Sequence, residues 1–227
     1  MSGRIRETAE RCLGLVGTVS LRQHVMGVMA DDNPRNRSTL AQMRRIQNRR
    51  FIRIGLVTIE TATPLIQRDL DNANDVFDSQ ADVWVYPVFS ITEDEPELLN
   101  LTQDDCLAGS SHSVSNEEDD LFNLGRDQGA DVVCYYINGN GTGAFGCASH
   151  PSDRRGYWCG AGASRWTFAH ELGHVVGDLR HTSSSNRLMF SGGTNNITNP
   201  PPNLTNDEAD DVRGDDAVER CEVIHVT

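Results

Sequence analysis

The run TFAHELGHVVGDLRH, residues 167–181, places His170, Glu171 and His174 together. On a helix, residues four apart sit one turn apart on the same face. The imidazoles of His170 and His174 can therefore reach one metal ion. Neutral imidazoles suit Zn2+, which brings the pKa of a bound water towards about 7. Glu171, beside the first histidine, borders the open side of such an ion. Its carboxylate can take the water's proton and deliver it to a leaving amine. The pair alone has a plainer reading, an exposed helix with two histidines at helical spacing. The residues after His174 bear on the choice. Gly177 can adopt the left-handed conformation that ends a helix in a sharp turn. His181 comes just after that turn, where a third ligand is needed. Asp178 is its rival, because carboxylates also bind zinc. Leu188-Met189-Phe190 comes next; such an apolar triplet is ordinarily core.

Elements that could carry this helix are legible upstream. Residues 51–59 (FIRIGLVTI) and 82–91 (DVWVYPVFSI) read as strands. Between them Thr63 and Pro64 open a helix through about Phe77, with Leu65, Ile66, Leu70, Ala73 and Phe77 on one side. This order implies a right-handed parallel crossover. Residues 92–120 are acidic and serine-rich and read as a long surface loop. Residues 131–137 form a third strand. The turn run 138–143 (NGNGTG) leads to an edge strand over 144–148, and residues 157–161 to a further short strand. The helix bearing the histidines spans 165–176. Thr205 and Glu208 form a capping box for a last helix through about Val212. The fold class expected is α/β, a mostly parallel sheet with an antiparallel edge strand.

The stretch HELGHVVGDLRH (His170 to His181) and the later Met189 resemble the metzincin clan of zinc peptidases. The resemblance covers roughly residues 50–215, and its specific part is 170–190. It implies that His170, His174 and His181 ligate one catalytic Zn2+, that Glu171 is the general base and that Met189 belongs to a methionine-containing turn beneath the metal. Three residues separate Gly177 from His181 where the clan has two, so this ligand falls one position late. The expected activity is hydrolysis of peptide bonds in a protein or peptide substrate, held extended along the edge strand. Phe190 to Leu204 would wall the pocket beyond the scissile bond, with His150 lining the cleft. Two alternatives stand beside this: a toxin protease dedicated to one target, and a catalytically silent zinc-containing binding module.

The remaining features concern setting. Residues 1–53 carry a net charge of +7 and residues 54–227 one of −20, with no lysine anywhere. The acidic body disfavours nucleic acid. The missing lysines suit high salt, delivery into a cytosol where lysines are ubiquitinated, or plain compositional drift. Residues 1–50 read as a basic helical extension, with helices over 4–14 and 38–50, ahead of a peptidase domain over 51–227. Cys12, or Asp31 and Asp32, could silence the metal as a pro-segment does, with processing at Arg49-Arg50. No run of about 18 apolar residues spans a membrane, and the polar residues 1–11 read as no signal peptide. The expectation is a secreted or extracellular protein from which a signal peptide could have been cut; oligomeric state is open. Six cysteines lack any CxxC pair, so they point to disulfides, with Cys147 and Cys159 a candidate pair. Acidic runs at Glu93–Glu95, Asp104-Asp105 and Glu117–Asp120 offer oxygen ligands for Ca2+.

Overall fold

The computed structural model describes residues 50–101, 106, 113–138 and 145–220. The unit Phe51–Val218 carries the fold, and residues 1–50 with 219–227 fall in a separate unit. The expectations for the leader, for Asp104-Asp105 and for most of the 138–143 turn lie outside the described residues.

The sheet of this unit is built from β1 (Arg50–Ile59), β2 (Val83–Glu93), β3 (Val132–Tyr136), β4 (Gly146–Cys147) and β5 (Gly156–Cys159), in the order β2-β1-β3-β5-β4. β3 runs parallel to both β1 and β5, and β4 closes the edge antiparallel to β5. Glu60 N–H donates to the Glu93 carbonyl at 2.8 Å, so β1 and β2 finish at the same end of the sheet. Pro87 breaks the ladder without penalty because β2 is the outer strand, where a missing N–H can face away from its neighbour.

A parallel sheet covered on both faces requires apolar residues at successive positions, and β1 and β3 have them. Ile52, Ile54, Leu56, Val132, Cys134 and Tyr136 face one core; Val57, Ile59, Tyr135 and Ile137 face the other. Three helices cover the first face: α1 (Ile66–Ala81), α3 (Thr167–Val175) and α4 (Asn206–Gly214). Leu70, Ala73, Val76 and Phe77 of α1 point inward, whereas Leu65 precedes the helix and is exposed, against expectation.

The second face corrects the reading of residues 92–120 as a loop. A 3-10 turn spans Pro96–Asn100, and α2 spans Asn116–Asn123. Ser115 caps α2 by accepting from Glu118 N–H at 3.1 Å, and three acids sit in its first turn, where the helix dipole favours them. Leu121 and Phe122 bury against the sheet, and Glu118 accepts from the Trp158 indole N–H at 2.9 Å. The Glu117–Asp120 run is thus a helix start with one inward acid. Among the described residues no carboxylate group gathers as a cation site, so the Ca2+ expectation finds no support.

The cysteine pairing also differs. Cys147 bonds Cys106, and Cys134 and Cys159 are buried thiols. Cys147 lies opposite Trp158 in the β4–β5 register, one place away from Cys159. Successive strand residues point to opposite faces, so Cys147 enters one core and Cys159 the other. No helix among the described residues is long and apolar enough to cross a membrane.

Candidate metal centre

Helix α3 is apolar where it meets the sheet: Phe168, Ala169, Leu172 and Val175 are buried. That packing directs His170, Glu171 and His174 to one rim. At the helix end, Gly177 lies at φ 91° and Asp178 at φ 47°, two left-handed residues in succession. Leu179 N–H then returns to the Gly173 carbonyl at 3.2 Å. The extra residue before His181 is taken up in this wider wrap, and Asp178, exposed, stays out of the histidine group. Glycine at 177 answers a second need, since a Cβ there would sit 3.0 Å from Val212 N on α4. Asp215 fixes the junction: it accepts from Gly177 N–H at 3.1 Å and from Arg155 Nη1 at 2.5 Å.

The wrap brings His181 back to the helix. Its Nε2 lies 3.1 Å from Nε2 of His170 and 3.1 Å from Nε2 of His174. One ligand atom from each of the three lies within 4.8 Å of the others. Tetrahedral Zn–N bonds of about 2.0 Å would set such nitrogens roughly 3.3 Å apart. His170 Nδ1–H donates to the Leu188 carbonyl at 2.7 Å, and His174 Nδ1–H to the Leu179 carbonyl at 2.6 Å. A carbonyl only accepts, so these bonds hold the proton on Nδ1 and turn the Nε2 lone pairs of His170 and His174 to the cluster. His181 Nε2 can offer a proton to only one of them. A cation satisfies all three, so the donor set fits zinc.

Protonation agrees with this. Burial, then the neighbouring imidazole of His174, pushes His170 down to about 3. Burial, then His181, pushes His174 down to about 4, and burial lowers His181. All three are neutral near pH 7, so no imidazolium charge opposes a cation. Burial alone pushes the Glu171 carboxyl up to about 8. Positive charge at the imidazoles would draw it back down.

Met189 is fully buried, its sulfur 3.1 Å from where a Cβ on Gly173 would stand. It therefore packs under the helix between the two histidines. Its carbonyl accepts from Thr182 N–H at 2.7 Å, beside His181. The Leu188-Met189 segment so braces the first and third histidines together. His150 is buried, its Nδ1 2.8 Å from the Pro151 carbonyl, and is not in the group. Sequence reasoning missed Gly146, whose Cα faces the Glu171 carboxylate. It lies in the edge strand just after the turn run, where a glycine carries no sign of the helix side chain that faces it.

No family model matches the chain, and no curated protein does. Solved structures are similar at low identity. One, described as a chaperone-substrate complex, is 19% identical over 73% of this chain and 33% of its own, with a TM-score of 0.45. Metalloproteinase-II from Bacteroides fragilis is 17% identical over 71% of this chain and 52% of its own, at 0.49. Archaemetzincin from Methanopyrus kandleri is 16% identical over 72% and 94%, at 0.47. The chain thus spans a third of the length of the first of these and about half of the second.

Proposed function

We propose that this chain is a zinc-dependent endopeptidase. The observation that carries the reading is the convergence of three neutral imidazoles with Glu171 next to the first of them. His170, His174 and His181 would hold the ion, with Met189 beneath them. Zinc bound there supplies Lewis acidity towards a carbonyl and lowers the pKa of water. Glu171 accepts the proton of the attacking water and returns it to the leaving amine. Its burial keeps competing solvent from the carboxylate, and a purely structural metal site would not need this acid. β4 lies at the sheet edge, so an extended peptide can add to it as a further strand. The Cys106–Cys147 bridge supports an oxidising compartment such as the cell exterior.

The test is a proteome-derived peptide library read by mass spectrometry. Zinc-loaded protein, chelator-stripped protein and Glu171→Ala are compared. Cleavage confined to the loaded wild type is expected. No cleavage by a protein that holds one zinc per chain would sink the reading.

A further inference from the structure

We propose that Gly146 is a positioning residue for Glu171, an inference that rests on the peptidase reading above. A Cβ at position 146 would lie 2.6 Å from Glu171 Oε1, 2.8 Å from Glu171 Cγ and 2.8 Å from Thr167 Cγ2. The edge strand thus presents a notch the size of a missing methyl, and the carboxylate of α3 fills it. Gly146 has no left-handed φ, so space rather than backbone conformation demands glycine here.

The strand has little freedom to retreat. Gly146 pairs with Cys159 and Cys147 with Trp158 across β4 and β5. Gly160 N–H donates to the Phe145 carbonyl at 3.0 Å, and Cys147, on the other side of Gly146, is tied to Cys106. A side chain at 146 must therefore displace the Glu171 side chain, at Cγ as well as at Oε1, and press on the Thr167 methyl. Moving the Glu171 side chain shifts the proton acceptor. A misplacement of about 1 Å can cost on the order of 100-fold in rate.

Gly146→Ala is compared with Gly156→Ala, a second strand glycine whose added Cβ would meet Phe122 Cδ1 at 2.8 Å and Val133 O at 2.9 Å instead. Each zinc-loaded protein is assayed for kcat, KM, zinc content and unfolding midpoint, and its crystal structure is determined. Gly146→Ala is expected to bind one zinc, to keep KM within about twofold and to lose roughly tenfold or more in kcat. Its Glu171 carboxylate should be visibly shifted. Gly156→Ala should lower the midpoint and leave kcat within about twofold of wild type. An unmoved carboxylate, an unchanged kcat or an equal loss in Gly156→Ala overturns the proposal. If Gly146→Ala does not fold, Gly146→Ala/Thr167→Ser/Glu171→Ala should, because both displaced groups are gone; its failure is equally fatal. A wild type without peptidase activity would remove the peptidase reading, while the crystal structures still decide whether residue 146 sets the Glu171 position.

Discussion

His181 stands one position later than the resemblance requires, and the geometry after α3 explains why that is tolerated. Asp, with its short polar side chain, enters the left-handed region more readily than most residues, and Gly177-Asp178 uses it. We therefore expect His181→Ala to weaken zinc binding by more than the 10–100-fold typical of a lost supporting contact. Asp178→Ala should leave affinity within about threefold of wild type on that scale. Competition for zinc with a chromogenic chelator reads both; a larger effect from Asp178 would transfer the ligand role to it. The pair His170 and His174 with Glu171 was fully legible in the sequence, because helical spacing alone aligns them. The partners of their Nδ1 atoms were not, since carbonyl groups carry no residue signature.

At the scale of elements, most strands and helices could be read from apolar alternation and caps. The capping box is present: Thr205 accepts from Glu208 N–H at 3.1 Å, and Glu208 from Thr205 N–H at 2.8 Å. Helix α2 escaped notice because its acidity outweighs a short apolar pair, although Ser115 and Glu118 were a usable signal. The Cys147–Cys159 misreading came from nearness in sequence, which says nothing about strand face. Asp215 is the element-level tie, joining the end of α3, the start of β5 and the turn after α4 through Gly177, Arg155 and Ala217. Asp215→Ala leaves the Gly177 N–H and the Arg155 guanidinium without this acceptor. A destabilisation of about 1–3 kcal/mol is expected, measured by urea unfolding with zinc present. A change below about 0.5 kcal/mol would mean that solvent replaces these bonds fully.

For the whole molecule, three histidines on two segments would make a bound zinc a cross-link of the native state alone. At free zinc about 100 times Kd the gain is roughly 2.7 kcal/mol. For a unit of this size that is about 5–10 °C in unfolding midpoint. A chelator should remove that increment in a calorimetric scan, and the His181→Ala protein should respond less. Equal midpoints with and without chelator would place the ion outside the folded unit. The long-range organisation was the least legible level. Strand order and which core each face enters depend on packing between segments far apart in the chain, and local patterns do not encode it.

The carbonyls of Leu179 and Leu188 that steer His174 and His170 belong to every amino acid alike. Exchanging either leucine cannot delete the acceptor itself. The orientation of these imidazoles is therefore robust in sequence space at the two positions where a side-chain carboxylate would have been fragile. Divergence of this region can proceed through apolar exchange at 179 and 188, provided that the path of the main chain is kept.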